Sequence, residues 1–414
     1  MHALTLLFLV VLGAATALRL WLASRQIAAV RAHRERVPEP FSQAISLADH
    51  RKAADYAVAR TRLSSVEVLV HAFAIVALTI GGGIAAMDAL WRNAGLNPPW
   101  HGAVVVLTVL LSLTAIGLPF AIWRTFRLEA RFGFNRSTPA LFTADLAKRL
   151  LLSAALGGPL LIAVLMLMER GGSWWWLLAW PVWAAFVLTV TWARPRFIAP
   201  LFNRFTPLAD ASLRSRVESL VERCGFASKG VFVVDGSRRT AHGNAYFTGV
   251  GREKRIVFFD TLLERLGDAE VEAVLAHELG HFRLLHVRQR LLVELAAALV
   301  ALALLAWLAQ QPDFYAALGI PVPSPHAALL LFALAAPAFT FFATPIAAWW
   351  SRRHELAADD FAAGHADASA LAAALVKLYR DNASTLVPDR IHSAFYDTHP
   401  PPLVRIARLR ARSA

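Results

Sequence analysis

Seven long apolar stretches constrain the fold of this 414-residue chain more than any other feature of its sequence. Apolar residues make up 57 % of the chain and charged residues 17 %, a balance too hydrophobic for an ordinary soluble domain. A helix needs about 20 apolar residues to cross about 30 Å of hydrocarbon. Stretches of that order lie at residues 3–23, 66–90, 102–123, 150–168, 173–193, 291–309 and 327–350. The sequence therefore predicts a mainly α-helical protein with seven transmembrane helices, although buried core helices are an alternative for the closely spaced fourth and fifth.

Basic residues are distributed unevenly between the loops, and this asymmetry predicts an orientation. The loops after the first and third stretches are rich in arginine and lysine, whereas the opposite loops hold only Arg92 and Arg170. An odd number of spans then places the N-terminus outside and residues 194–290 and 351–414 in the cytoplasm. Arginine-rich, lysine-poor usage and short loops suggest a bacterial inner membrane. The basic residues of the two loops are Arg25, Arg31, Arg34, Arg36, Arg51, Lys52, Arg60 and Arg62, and Arg124, Arg127, Arg131, Arg136, Lys148 and Arg149.

The net charge of +13 is compatible with nucleic-acid binding, but the basic residues concentrate at the ends of the membrane spans. Anionic lipid headgroups are therefore the predicted partners, and nucleic acid is not. Residues 15–17 resemble a signal-peptide cleavage site, yet no basic residue precedes the apolar run, which favours a retained anchor. The single cysteine, Cys224, excludes an intrachain disulfide and is interpreted as a structural thiol.

The strongest chemical signal is the motif His-Glu-x-x-His, formed by His277, Glu278 and His281. Residues four apart share one face of a helix, so both imidazoles can bind one Zn²⁺. The adjacent carboxylate of Glu278 then reaches a water that the metal activates. These are the groups that metal-assisted peptide hydrolysis requires. The alternative is a surface helix with two histidines.

A catalytic zinc site normally has three protein ligands and one open position, so a third ligand is needed. Glu355 and Asp359 are four residues apart and follow the seventh span on the same predicted side of the membrane. Glu355 can bind the metal while Asp359 accepts the far N–H of a ligating histidine. The alternative is an acidic, solvated helix start that balances Arg352 and Arg353.

Two other side chains near the motif are weaker candidates. Glu294 lies near the start of the sixth span and is an alternative third ligand or an intramembrane acid. His286 is five residues beyond His281, a helical spacing that turns it away from the ligand face. It is expected to be a polar residue near the membrane surface.

The polar segment before the motif predicts a small α+β unit. Residues 212–224 are predicted to form a helix, and residues 230–235, 244–249 and 254–260 to form short strands. A small sheet followed by the metal helix suits a zinc peptidase whose substrate adds a strand to the sheet edge. Two domains are predicted: a membrane domain of five spans over residues 1–193, and a cytoplasmic zinc metallopeptidase domain over residues 194–414 that spans six and seven interrupt.

Six motifs spread over nearly the whole chain occur together and carry a resemblance. Through them the chain resembles the type I CaaX prenyl proteases, which are integral-membrane, gluzincin-like zinc metallopeptidases. The resemblance implies one zinc ion per chain with Glu355 as third ligand, Asp359 as a second-sphere group, and a large chamber enclosed by the seven helices. It also implies that Asn244, Ala245, Tyr246 and Phe247 form the strand that pairs with substrate. The motifs are residues 131–135, residues 200–203, residues 244–249 with 254–257, the metal motif, Glu355-x-x-x-Asp359, and His399-Pro400-Pro401 followed by Arg405.

The predicted mechanism uses zinc held by His277, His281 and Glu355, with Glu278 moving a proton from the attacking water to the leaving amine. The resemblance also brings two residues near the C-terminus of the chain to the active site. His399 is predicted to stabilise the oxyanion, where one such donor is typically worth ~3 kcal/mol. Arg405 is predicted to hold substrate backbone or a terminal carboxylate. The alternative is an arginine-rich C-terminal helix with His399 as its cap.

The predicted function is therefore a zinc metalloendopeptidase that cleaves near the C-terminus of CaaX-type or other extended, membrane-associated peptides or proteins, lipidated or not. Two alternatives stay open. One is a quality-control protease that clips membrane proteins without prenyl specificity. The other is a non-catalytic seven-span transporter or receptor, for which Glu294 would be an intramembrane charge.

Overall fold

A computed structural model describes residues 2–226, 230–243, 245–248 and 255–413. Within these ranges the chain is mostly helical and contains one small sheet. The helices are α1 Ala3–Ala32, α2 Leu47–Leu78, α3 Gly83–Arg92, α4 Trp100–Trp123, α5 Pro139–Arg170, α6 Trp175–Ala193, α7 Ala199–Phe202, α8 Ala211–Arg223, α9 Asp260–Leu263, α10 Asp268–Arg283, α11 His286–Leu308, α12 Pro312–Ala317, α13 Pro325–Thr340, α14 Thr344–His365, α15 Ala368–Asp381, α16 Arg390–Tyr396 and α17 Pro402–Ser413. The strands are β1 Phe205–Pro207, β2 Val231–Val234, β3 Ala245–Thr248 and β4 Arg255–Phe259.

Among the described residues, seven helical segments are long and apolar enough to cross a membrane, which confirms the predicted number. Several are longer than the apolar stretches that identified them. Helices α1 and α2 contain 30 and 32 residues, or about 45–48 Å at 1.5 Å per residue, so their ends extend beyond the hydrocarbon. Ion pairs hold these polar ends together: Arg34, just after α1, donates to Asp55 of α2 at 2.9 Å.

The second span is displaced from its predicted position at residues 66–90. Helix α2 begins at Leu47, capped by the side chain of Ser46, and ends at Leu78. Thr79, Ile80, Gly81 and Gly82 then separate it from α3, which begins at a third successive glycine, Gly83. Gly82 has a φ of +77°, and a Cβ on Gly81 would lie 2.7 Å from the carbonyl oxygen of Ala77. The turn requires residues without side chains, and the hydropathy of the segment does not reveal it.

The fourth and fifth spans are membrane helices and not core helices. Only 6 % of the most apolar window of each is buried inside the protein, so their apolar side chains face outward. The seventh span differs, since α13 and α14 are joined by a single 3₁₀ turn at Phe341–Ala343 and run together from Pro325 to His365. Its C-terminal half therefore continues out of the apolar region as part of the polar domain, which comprises the polar segments 194–290 and 351–414.

The sheet has the order β1-β2-β4-β3. Strands β2 and β4 are parallel, and the two outer pairs are antiparallel. The three predicted strands are present within a residue or two of their predicted ends, whereas the three-residue β1 was too short to be recognised. Within the described sheet β3 pairs with β4 alone, so β3 is an edge strand.

Helix α10 is the centre of the polar domain. It packs against α8, α14, α15 and β3, and Val271, Leu275 and Leu279 are almost completely buried in the shared core. Phe258 of β4 lies in the same core. Cys224 is buried there too, and burial raises the pKa of its thiol, as expected for a structural residue. A helix fixed on all these sides holds its functional side chains in place.

Candidate metal centre and active site

The metal motif lies where α10 crosses α14, and the glycine inside the motif permits the close approach. A Cβ at Gly280 would lie 3.2 Å from the Cα of Ala358 and 3.2 Å from the Cβ of Phe361. A side chain there would force the α14 backbone or the Phe361 side chain to shift by a few tenths of an ångström. The sequence contained this signal, because Gly280 stands between the two histidines of the motif, but its packing role was not recognised.

Three ligand atoms converge at this crossing. His277 Nε2 and His281 Nε2 are 3.2 Å apart, and the two oxygens of Glu355 lie 3.4 Å from them, Oε2 from His277 and Oε1 from His281. Atoms at tetrahedral positions around a zinc ion, each ~2.0–2.2 Å from it, are separated by about 3.3–3.5 Å. The predicted ligand set is thus brought together with the spacing of a metal site.

The chemistry of the donors also fits a cation. Glu355 Oε2 is buried and has no hydrogen-bond partner among the described residues. The guanidinium of Arg405 comes no nearer than 4.0 Å, so this buried carboxylate oxygen lacks the direct partner that it needs. A divalent cation bound by the three side chains would provide that partner. The acidic, solvated helix start considered for Glu355 does not describe this residue, which is only 6 % exposed.

A second cluster of metal-binding residue types, formed by Asp88, His101 and His326, has a different geometry. Both Nε2 atoms contact the same carboxylate oxygen of Asp88, at 2.7 Å for His101 and 3.0 Å for His326. These are hydrogen-bond distances, and Arg92 also neutralises the carboxylate. We interpret this cluster as a polar tether between α3, α4 and α13.

A buried chain of charges supports His277. Its Nδ1 lies 2.9 Å from Asp359 Oδ1, close enough for a hydrogen bond although not aligned for one. Asp359 in turn accepts two hydrogen bonds from Arg405, from Nε at 2.8 Å and from Nη2 at 2.5 Å. Asp359 is fully buried and Arg405 is 4 % exposed. The guanidinium of Arg405 is therefore already bound to Asp359. A substrate carboxylate, the predicted partner of Arg405, would have to compete with Asp359 for it.

The charges also determine the protonation of His277 before metal binds. Burial opposes a positive charge on the ring, but contacts with Asp359 and Glu355 outweigh it and raise the pKa of His277 to about 9. At neutral pH a metal ion must therefore displace a proton from this ring, which couples metal binding to pH.

Glu278 and His399 lie beside the three ligands. Burial raises the pKa of Glu278, which brings the carboxylate closer to the range of a general base at neutral pH. His399 Nε2 is 3.3 Å from Glu355 Oε2, and 62 % of its side chain is exposed. Both residues line the same cavity as His277. Tertiary packing thus brings together residues that are more than 100 positions apart in sequence.

The expectation for His286 was wrong. Its Nδ1 lies 3.0 Å from His281 Nδ1, and its ring is buried and stacked on His354 at 3.9 Å. The expectation assumed an unbroken helix. Instead α10 ends at Arg283 and Leu285 has a φ of +58°, which reverses the chain before α11. His286 therefore returns to the side of the ligand.

The remaining predicted residues lie in different environments. Glu294 is exposed on α11 and does not belong to the described cluster of His277, His281 and Glu355. Of the predicted substrate-binding strand, Ala245, Tyr246 and Phe247 form β3, with Ala245 lining the cavity, whereas Asn244 lies outside the described residues.

The cavity beside the ligands has a volume of about 960 Å³. Its wall combines α10, α15, the segment before α17 and three of the seven spans: α1, α2 and the turn between α13 and α14. The described lining of this cavity includes these three spans, and the larger chamber enclosed by all seven spans that the resemblance implies stays a prediction. A chain in an extended conformation fits a cavity of this size, and a folded domain does not.

Two family models match the chain along almost its entire length. Residues 26–204 match the N-terminal region of CAAX prenyl proteases, described as five membrane helices. Residues 207–413 match peptidase family M48. The first model covers α2, which lines one side of the cavity, and the end of α1, and the second contains the ligand cluster.

Characterised proteins and one solved structure resemble the chain over most of their length. The CAAX prenyl protease 1 homolog of Oryza sativa is 34 % identical over 77 % of this chain and 76 % of its own. The homolog of Caenorhabditis elegans is 30 % identical over 99 % and 98 %. The crystal structure of Ste24p from S. mikatae is 27 % identical, covers 98 % of both chains and superposes with a TM-score of 0.91. These relatives are all eukaryotic.

Proposed function

From the premise that this chain belongs to peptidase family M48 and carries the five-helix N-terminal region of CAAX prenyl proteases, we propose that it is a zinc endopeptidase for CaaX-type tails. It is an integral-membrane metallopeptidase. The observation that supports zinc-dependent peptide hydrolysis is the convergence of His277, His281 and Glu355 at ligand spacing inside a cavity next to Glu278. The transporter or receptor alternative is not favoured, since it does not require such a site.

We assign one zinc ion per chain to His277, His281 and Glu355. Two imidazoles and a carboxylate are a ligand set that zinc peptidases use, and they leave one position open. When bound, zinc supplies Lewis-acid polarisation of the peptide carbonyl and lowers the pKa of water. The remaining chemistry belongs to side chains of this protein.

Glu278 is the proposed general base. It accepts a proton from the attacking water as the water oxygen bonds to the carbonyl carbon, and it then donates that proton to the amine nitrogen as the peptide C–N bond breaks. Its raised pKa suits a group that must both take and return a proton. Its position directly after His277 on the motif helix keeps it beside the ligands.

His399 is the proposed donor to the oxyanion of the tetrahedral intermediate. Its ring lies close to Glu355, and most of it is exposed to the cavity. Asp359 and Arg405 act one step further out. Asp359 fixes the ring of His277, and Arg405 fixes Asp359, so both are positioning residues.

Substrate is proposed to bind in an extended conformation along β3. This strand is an edge strand of the described sheet, and Ala245 brings it to the cavity wall. An added strand pairs through its backbone, so the enzyme requires an unfolded tail, while pockets beside the strand give specificity for its side chains. The apolar residues of the wall suit a lipidated tail, and the names of the curated relatives point to CaaX substrates. We propose no nucleic-acid partner.

The proposed function is tested with the purified protein and two peptides that differ only in a prenyl group on the CaaX cysteine. Cleavage near the C-terminus is expected for the prenylated peptide, with complete loss on chelation and recovery when zinc is added back. Mass spectrometry identifies the cleaved bond. Equal cleavage of both peptides would favour the quality-control protease. Cleavage that persists without metal would contradict the zinc assignment.

We further propose that the active site faces the cytoplasm, that the N-terminus is outside, and that the host membrane is a bacterial inner membrane. The basis is the charge asymmetry of the loops and the arginine-rich composition. We also propose, from the sequence, a membrane domain over residues 1–193 and a peptidase domain over residues 194–414. Anionic lipids are the proposed partners of the basic helix ends.

Cysteine labelling tests the orientation without any enzymology. In a Cys224→Ser background, single cysteines at the exposed positions Asn93 and Val322 should react with an impermeant maleimide from outside intact cells. Cysteines at the exposed positions Ser42 and Arg238 should react only after the membrane is opened. Labelling of the Arg238 position from outside would invert the orientation.

A further inference from the structure

Arg19 is an intramembrane cation in the wall of the catalytic cavity. It lies in α1, within the first apolar stretch, and lines the cavity that also contains His277 and Glu278. An arginine side chain stays protonated at every physiological pH. Charged groups at membrane depth are unfavourable and are generally retained for a specific ionic contact. The nature of that contact is therefore informative.

No carboxylate among the described residues pairs with Arg19. Its Nε is buried without a hydrogen-bond partner, and none of the residues in the described ranges places a carboxylate at salt-bridge distance from it. The contact that it does make is with Phe341, whose ring centroid lies 4.2 Å from the guanidinium carbon. An aromatic face attracts the cation, but it leaves the N–H groups in the guanidinium plane free for an acceptor.

The other two arginines of the cavity wall have negative neighbours. Arg405 is bound to Asp359 by two hydrogen bonds. Arg60 is exposed, lies 5.8 Å from the ring centroid of Tyr56 and interacts electrostatically with Glu129. Among the described cavity arginines, Arg19 thus has its charge available for a ligand.

We propose that Arg19 binds the free C-terminal carboxylate of the peptide that is cleaved. This inference rests on the proposed function, because a CaaX-type tail ends a few residues beyond the bond that is hydrolysed. A guanidinium and a carboxylate form a bidentate, charge-assisted pair whose planar geometry also fixes orientation. Binding of a terminal carboxylate, the role predicted for Arg405, is thus assigned to Arg19, because no described carboxylate is bound to the guanidinium of Arg19.

The surroundings of Arg19 strengthen such a pair. Phe341 packs against Phe395 at 5.4 Å and against Tyr396 at 6.3 Å between ring centroids. These rings exclude water from one side of the guanidinium, and electrostatic attraction is stronger where water is excluded. They also provide an apolar surface for the last side chain of the bound peptide. Arg19 thereby selects chains that end inside the cavity over chains that continue.

The experiment compares one prenylated CaaX peptide as the free acid and as the C-terminal amide. We expect Arg19→Gln to lower kcat/KM for the acid by about 10- to 100-fold, mainly through KM, and to lower it far less for the amide. Arg19→Lys should restore part of the preference, since lysine keeps the charge but not the planar fork.

Two matched controls carry the same change of charge. Arg60→Gln alters another arginine of the same cavity wall and should affect acid and amide equally. Arg31→Gln alters the same helix outside the cavity wall and should leave the acid-to-amide ratio at its wild-type value. Equal losses for acid and amide in Arg19→Gln would overturn the assignment and indicate a lipid headgroup or the fold as the partner. The same selective loss in Arg60→Gln would also overturn it, because the preference for the acid would then come from the overall positive charge of the cavity.

A binding measurement separates this inference from the proposed function. If the wild-type protein cleaves neither peptide, the proposed substrate class fails. Fluorescent acid and amide peptides are then titrated into metal-loaded Glu278→Gln protein, with and without Arg19→Gln. Tighter binding of the acid that disappears in the double variant supports the carboxylate site. Equal binding of acid and amide refutes it.

Discussion

Glu278→Gln is expected to lower peptidase activity by about 10²- to 10⁴-fold while the protein keeps its metal. The amide has nearly the shape of the carboxylate but cannot take a proton from water. Glu278 is not one of the three converging ligands, so the metal site should stay intact. Zinc content by atomic emission, together with kcat on a CaaX peptide, measures both effects on one sample.

The matched control is Glu272→Gln on the same helix. Glu272 pairs at the surface with Arg216 and Arg223, away from the cavity, and the control should keep nearly full activity. Wild-type turnover in Glu278→Gln would remove Glu278 from its assigned role. Loss of zinc in that variant would show that its carboxylate supports the ligands and is not only a base.

Glu355→Ala is expected to remove both the metal and the activity. Two histidines alone bind zinc much more weakly than three ligands, and the substitution also leaves Asp359 and Arg405 beside an empty position. The zinc content should fall from about one ion per chain to near none after dialysis against a weak chelator. Circular dichroism and size-exclusion elution should stay unchanged if the helices remain packed.

Glu294→Ala provides the control for the competing ligand. Glu294 is a glutamate of the adjacent span and is exposed on α11. Its removal should change neither zinc content nor turnover. If instead Glu294→Ala loses the metal and Glu355→Ala retains it, the third ligand belongs to the sixth span and the arrangement described for α14 is not the functional one.

The sequence alone predicted those features that depend on local periodicity. Apolar stretches of membrane length gave seven spans, and helical spacing placed His277, Glu278 and His281 together on α10. The i to i+4 relation of Glu355 and Asp359 likewise predicted one helical face. In each case the residues belong to one continuous helix, so backbone geometry determines their relation without knowledge of the rest of the fold.

Local periodicity failed where the chain breaks or where two distant elements meet. The glycines after Leu78 moved the second span, and the left-handed Leu285 returned His286 to His281, because both errors assumed an unbroken helix. The partner of Arg405 and the charge of Arg19 in the cavity wall depend on packing between helices far apart in sequence. The sequence by itself determined which chemistry the chain carries. Only the tertiary structure decided which side chains are already paired and which are free to bind a ligand, because pairing is a property of distances across the fold.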